Sequence, residues 1–142
     1  MTIEDTLANV ELFRDIDRDD RETLAKIVVT REFKPGDVIV REGEPGVAFY
    51  IVSRGRVEVV KGAAGNEQVL AVLNPGDFFG EMALFDDQPR SASVRALQDS
   101  ECLVMSKWDL NTVFAATNCR VAVHLLAVLA RRIRNLQDAA TH

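Results

Sequence analysis

The sequence predicts an α+β fold that is mainly β: an antiparallel β-barrel or jelly roll with N-terminal helices, a short inserted helix and a long C-terminal helix. Three observations predict it. Short runs of Val, Ile and Phe alternate with turn residues from Val29 to Ser106, as in antiparallel sandwiches and barrels. Apolar residues recur at helical spacing on both sides of that stretch. One segment within it, Phe78 to Phe85, breaks the strand rhythm with good helix formers.

Residues 1–142 read as one domain, helical over 1–28, β over 29–106 and helical again over 107–138. The length suits a single core. A composition of 47% hydrophobic and 27% charged residues can fill that core and excludes a disordered chain. The net charge of -5 argues against general attraction to nucleic acid or to anionic membranes.

The elements follow in order. Thr2-Ile3-Glu4-Asp5 is a capping box ahead of Leu7, Val10 and Leu12. A second short helix is expected from near Asp19, carrying Leu24, Ile27 and Val28. Strands are expected at Val38 to Val40, Val47 to Val52, Val57 to Val60, Val69 to Leu73, Ser93 to Leu97 and Cys102 to Met105. Turn signals lie between them at Pro35-Gly36-Asp37, Gly43 to Gly46, Arg54-Gly55, Gly62 to Asn66 and Pro75-Gly76-Asp77. The tripeptide Pro-Gly-Asp recurs 40 residues apart, which points to equivalent corners in the two halves of the barrel. Ser106-Lys107-Trp108-Asp109 is a second capping box, opening a helix with Leu110, Val113 and Phe114. Thr117-Asn118 breaks it, and a long helix runs from about Cys119 to Gln137.

The first residues, Met1 to Asp5, are acidic and lack a signal-peptide pattern. Val121 to Ala130, the longest apolar stretch, is too short to span a bilayer and contains His124. A cytoplasmic protein without a membrane segment is expected. Cys102 and Cys119 lack metal-type spacing and are expected to be reduced core thiols.

The inserted segment carries chemistry. A helix start leaves backbone N–H groups unpaired and partly positive, so it attracts anions. Gly80 lets an anion approach the backbone closely. Arg90 offers a planar fork for two phosphate oxygens, and Ser91 adds a hydroxyl donor. Glu81 only accepts hydrogen bonds, so it suits a sugar hydroxyl. Together these groups match the sugar-phosphate edge of a nucleotide.

Phe79-Gly80-Glu81-Met82-Ala83-Leu84 followed by Pro89-Arg90-Ser91-Ala92-Ser93-Val94 resembles the phosphate-binding cassette of cyclic nucleotide-binding domains. The cassette spans 78–91 here. Gly43 to Gly46 with Tyr50, Val52 and Gly55-Arg56-Val57 looks like the family's early hairpin, and Asn74-Pro75-Gly76-Asp77 like its approach to the cassette. The resemblance covers roughly residues 10 to 137. The chain is similar to the effector domains of bacterial cyclic AMP receptor and fumarate–nitrate regulators and to protein kinase A regulatory subunits. The resemblance implies that Glu81 accepts from the ribose 2′-hydroxyl and that Arg90 holds the exocyclic phosphate oxygens. It implies a ligand-contacting set of Gly80, Glu81, Met82, Ala83, Leu84, Arg90, Ser91 and Ala92, with backbone N–H groups near Met82 to Leu84 completing the cradle. No metal is implied. In this family threonine after the arginine favours guanine, and alanine favours adenine. Arg90-Ser91-Ala92 most resembles the cyclic AMP-responsive bacterial regulators. That favours cyclic AMP and leaves cyclic GMP as the alternative. The stretch near Asn135, Leu136 and Gln137, which would help read adenine, departs from the family pattern.

Ala122, Leu126, Leu129, Ile133 and Leu136 are spaced 4, 3, 4, 3, as in an a/d seam, and Val121, Leu125 and Val128 form a second row. The helix either folds against its own barrel or forms a parallel homodimer through the seam, as in the bacterial regulators. The resemblance implies that ligand acts by moving this helix. An enzyme is not expected. His124 and His142 are the only histidines, and no nucleophile, base and orienting group recur together. Direct DNA binding is not expected, because no helix-turn-helix follows the long helix. An N-terminal region without cysteine disfavours an iron–sulfur sensor. A protein effector of unknown identity is implied. A ligand-independent interaction module of the same fold remains the rival, and a stand-alone sensor and a piece of a larger protein both stay open.

Overall fold

The computed structural model describes residues 2–63, 65–84 and 86–141, without the side chains of 139–141. Met1, Ala64, Phe85 and His142 lie outside the described residues. The chain forms two compact units, one made by Met1–Lys26 with Leu110–His142 and the other by Ile27–Asp109.

Among the described residues the central unit holds eight strands: β1 (Val29–Phe33), β2 (Val38–Val40), β3 (Ala48–Arg54), β4 (Val57–Lys61), β5 (Gln68–Leu73), β6 (Phe78–Phe79), β7 (Ser93–Ala96) and β8 (Ser100–Ser106). They form two antiparallel four-stranded sheets, ordered β1-β8-β3-β6 and β2-β7-β4-β5. The sheets do not close into one continuous barrel, so of the two predicted forms the jelly roll is the one adopted. Inner-face residues of both sheets meet in one cluster: Val40, Ala48, Tyr50, Val52, Val57, Phe79, Val94 and Cys102. The β3 strand is its spine and is buried from Ala48 to Val52.

All six predicted strands are present. Two further strands are made by pairing rather than by local pattern. The middle of β1, Thr30-Arg31-Glu32, is polar and exposed, and its register with β8 from Val29↔Val104 to Phe33↔Ser100 holds it extended. The expected helix over Phe78 to Phe85, the last of which lies outside the described residues, shrinks. Phe78 and Phe79 are buried as β6, opposite Ile51 and Tyr50, and only Glu81–Leu84 turns, as a 3-10 helix. Two large aromatic side chains gain more from the sheet core than from a helix.

The two Pro-Gly-Asp turns are built alike. The Asp37 carboxylate accepts the Lys34 N–H at 2.8 Å, and the Asp77 carboxylate accepts the Asn74 N–H at 2.8 Å. Gly36 N–H and Asp37 C=O bracket Ala96 at 2.8 and 2.9 Å. Gly76 N–H and Asp77 C=O bracket Val52 at 2.8 and 2.9 Å. One corner serves each sheet.

The other unit is helical. Its α1 helix (Ile3–Asn9) starts at the predicted capping box, with Asp5 N–H donating to Thr2 Oγ1 at 3.1 Å and Thr2 N–H to Asp5 Oδ2 at 3.2 Å. Its α2 helix (Arg18–Ala25) stops before Ile27 and Val28. Those two residues lie in the approach to β1, as suits adjacent β-branched side chains. The α3 helix (Lys107–Ala116) begins in the central unit, where Ser106 Oγ accepts the Asp109 N–H at 3.1 Å. Asn118 (φ 49°) and Cys119 (φ 65°) form the break, and α4 (Arg120–Thr141) follows.

Arg120, the first residue of α4, donates through Nε and Nη2 to both oxygens of Asp20 on α2, each at 2.9 Å. His124 Nε2 lies 2.8 Å from the Leu12 carbonyl. The two apolar rows of α4 have different fates. Val121, Leu125 and Val128 are buried. In the other row Leu126, Ile133 and Leu136 are 50%, 57% and 71% exposed, while Ala122 and Leu129 are half-buried. Among the described residues no single helix is long and apolar enough to cross a membrane.

The thiols differ, contrary to the expectation of two core cysteines. Cys102 is buried and Cys119 is exposed, because the left-handed break turns residue 119 outward. Burial, aided by the nearby Glu101 charge, pushes the Cys102 thiol up to about 12. A thiol reagent at neutral pH should therefore label Cys119 quickly and Cys102 only on unfolding, read as one fast equivalent and one denaturant-dependent equivalent. A second prediction concerns Asp20. The hydrogen bonds from Arg120 hold its carboxyl below the ordinary 3.8. A carboxyl whose folded pKa is depressed stabilises the fold fully above the unfolded value and loses that contribution as pH falls through the folded one. Asp20→Ala should lower unfolding stability by about 1–2 kcal/mol at pH 7, with the gap to the parent closing below pH 3.8 in denaturant titrations.

Candidate functional site

A cavity of about 410 Å³ opens in the central unit. Val40, Val59, Leu73, Phe78, Phe79 and Val94 give it an apolar wall. Gly80, Glu81, Met82, Ala83, Pro89, Arg90, Ser91 and Ala92 form the polar side with Asp86 and Gln88.

Gly80 follows β6 in the left-handed region at φ 84°. That conformation ends the strand and tips the chain into the turn of Glu81–Leu84. The turn takes up part of its own donor set, since Ala83 N–H donates to the Gly80 carbonyl at 3.2 Å. Ala83 and Leu84 are buried, Glu81 is half-buried and Met82 is 67% exposed.

Arg90 is fixed at both ends. Its N–H donates to the Glu44 carbonyl at 2.8 Å and its carbonyl accepts the Gly43 N–H at 2.8 Å. A bridge between Pro45 and Pro89 extends this short ladder. At the other end, Nη2 donates to the Ala48 carbonyl at 2.8 Å. The guanidinium carbon sits 5.9 Å from the centroid of the Tyr50 ring, which stacks parallel on Phe79 at 4.8 Å. A cation over an aromatic face is attracted to the ring's negative quadrupole. Burial lowers the Arg90 pKa, while the Tyr50 phenol and the Glu81 carboxylate act in the opposite sense. Arginine keeps its charge throughout the accessible pH range.

Seven of the eight sequence-derived residues thus line one cavity; Leu84 does not, and lies buried at the end of the turn. The sequence reading missed the apolar wall and the holders of Arg90. The wall was detectable in principle: Val57 and Val59 alternate with Glu58, and their β5 partners are Leu73 and Ala71. The Ala48 carbonyl, 42 residues before Arg90, left no signal. A planar cation, a hydrogen-bond-accepting carboxylate and an apolar wall suit a small anionic ligand with a flat apolar part. Among the described residues no group of three or more His, Cys, Asp or Glu side chains could hold a metal ion.

The family model "Cyclic nucleotide-binding domain" matches residues 30–123. A cAMP-dependent protein kinase regulatory subunit of Dictyostelium discoideum is 38% identical over 112 residues, covering 76% of this chain and 34% of that protein. A CRP-like cAMP-activated global transcriptional regulator of Mycobacterium tuberculosis is 31% identical over 137 residues, covering 96% of this chain and 61% of the regulator. The chain thus spans less than two thirds of either relative. The crystal structure of the N-terminal domain of a transcriptional regulator from Streptomyces coelicolor superposes with a TM-score of 0.81 at 32% identity, over 95% of this chain and 94% of that one. The chain belongs to the cyclic nucleotide-binding domain family.

Proposed function

We propose that this cyclic nucleotide-binding domain is a non-catalytic regulatory sensor for cyclic AMP, residues 1–142 responding as one domain and holding the ligand at 78–91. The observation that carries this reading is the state of Arg90. Its guanidinium is half-buried, is held by a carbonyl and a ring, and among the described residues has no carboxylate within ion-pair distance. Arg95 and Arg120, by contrast, both sit on carboxylates. A fixed, partly desolvated cation with no carboxylate paired to it favours an anion beside it.

In this reading Arg90 forks the two exocyclic oxygens of the cyclic phosphate. Glu81 accepts from the ribose 2′-hydroxyl. Backbone donors of the turn, with Gly80 and the Ser91 hydroxyl, complete the cradle, and Met82, Ala83, Leu84 and Ala92 shape it. The base lies against Val40, Val59 and Leu73. Adenine is favoured by the Arg90-Ser91-Ala92 pattern and by the cyclic AMP named for both curated relatives.

The signal leaves through the C-terminal helices toward a protein effector in the cytoplasm. Two contacts inside the central unit support that route. Lys107, the first residue of α3, donates its N–H to the Val47 carbonyl at 2.9 Å, next to the carbonyl that holds Arg90. Its Nζ pairs with Asp87, beyond the cassette turn, at 2.9 Å. The exposed row Leu126, Ile133 and Leu136, with Ala122 and Leu129, is the proposed homodimer seam. Ligand moves a helix only if its contacts differ between the two states.

Calorimetric titration with cyclic AMP and with cyclic GMP should show the first binding more tightly. Charge-assisted hydrogen bonds contribute about 1.5–3 kcal/mol each, so losing two should weaken cyclic AMP binding roughly a hundredfold or more in Arg90→Ala. Equal binding by Arg90→Ala and parent would refute the pocket; tighter binding of cyclic GMP would refute the base assignment. Hydrogen exchange of α4 should change on adding cyclic AMP, and identical exchange with and without it would remove the helix from the mechanism.

A further inference from the structure

We propose that Gly46 is a positioning residue for Arg90, the absence of its side chain forming the slot that aims the guanidinium into the cavity. This inference rests on the reading of Arg90 as the phosphate-binding group.

A Cβ added at Gly46 would lie 2.7 Å from the Ala83 Cβ and 3.2 Å from both Cζ and Nε of Arg90. One methyl would therefore press on the cassette turn and on the guanidinium together. Neither neighbour is free to yield. Ala83 is buried and has no rotamer to change, and its N–H is bonded within the turn. Arg90 is held by Glu44 and Gly43 through its backbone and by Ala48 and Tyr50 through its side chain.

Backbone strain does not enter at this position. Gly46 is absent from the residues with positive φ, so alanine fits its backbone. Gly80 also crowds Arg90, with an added Cβ 2.7 Å from Nη1, but its φ of 84° would confound any substitution there. The effect of Gly46→Ala is thus a test of the slot alone. Gly36→Ala is the matched control. Gly36 has φ 88° and nothing within 4 Å of an added Cβ, so it strains the backbone without touching the site.

Two readouts decide the matter in the full chain. The first is the Arg90 Nε–H signal in nitrogen–proton correlation spectra, which needs no ligand. The second is the affinity for cyclic AMP, measured in the parent, Gly46→Ala, Arg90→Ala and the double variant. We expect Gly46→Ala to shift the Nε–H signal and to weaken cyclic AMP about tenfold or more. In the Arg90→Ala background the same substitution should cost about twofold at most, because residues acting through one group are not additive. Gly36→Ala should lower the melting temperature by a few degrees, leave the Nε–H signal in place and keep the affinity of the parent. An unshifted Nε–H signal with parental affinity overturns the inference. So does a full additional penalty in the Arg90→Ala background, the result of general loosening. If Gly46→Ala does not fold, Gly46→Ala with Ala83→Gly removes the closest contact and is measured in the same way. If the parent binds no cyclic nucleotide, the functional reading falls, and the Nε–H shift still decides whether Gly46 sets Arg90.

Discussion

A cation must be kept inside the edge of a β-sandwich without a carboxylate to hold it, and much of the central unit is arranged around that requirement. The guanidinium of Arg90 rests on the Ala48 carbonyl and over the Tyr50 ring. Tyr50 can offer its face because it stacks on Phe79, and Phe79 is in place because β6 pairs with β3. The backbone of Arg90 is held by the loop of Gly43 and Glu44. A carboxylate in any of these places would satisfy the charge and remove the reason for an anion to enter. The surrounding groups instead give position without neutralisation.

The helical unit solves a different problem, that of turning the chain sharply between α3 and α4. Two successive left-handed residues, Asn118 and Cys119, make the turn, at a cost that neither side chain offsets by burial. Arg120 is then caught at once by the buried Asp20 carboxylate, so α4 starts in a fixed direction. Past Val128 the buried row of α4 ends; Leu129 is half-buried, and Ile133 and Leu136 face solvent. The same helix is therefore anchored at its start and carries exposed apolar side chains, Ile133 and Leu136, toward its end.

Much of this was legible in the sequence, for a physical reason. Elements set by local chemistry were read correctly: the Thr2 capping box, the Thr117-Asn118 break, and the strands with their own apolar alternation. The cassette was legible because its glycine, carboxylate and arginine are close together along the chain. Features set by distant pairing were not. β1 is polar and becomes a strand only beside β8. Phe78 and Phe79 resemble helix residues until Tyr50 and Ile51 lie opposite them. Cys119 looked like a core residue because its left-handed backbone, which turns it outward, has no sequence marker when glycine is absent. The hydrogen-bond partners of Arg90 are the backbone groups of Gly43, Glu44 and Ala48, and a backbone group has no letter in the sequence.

The paired Pro-Gly-Asp corners have a consequence for how such a pocket arises. Each corner grips its sheet with main-chain atoms and its own aspartate, so the surrounding side chains are free to diverge. The segments that leave the corners, β2 with its loop and β6 with the cassette, then meet at Pro45 and Pro89. The two corners are thus alike, and the cavity lies where the segments that leave them differ. The segment after the second corner contributes Gly80 and Arg90; the segment after the first contributes Gly46, beside which Arg90 lies. Main-chain bonds and two aspartates thus set the frame, and the segments between them are left to line the cavity.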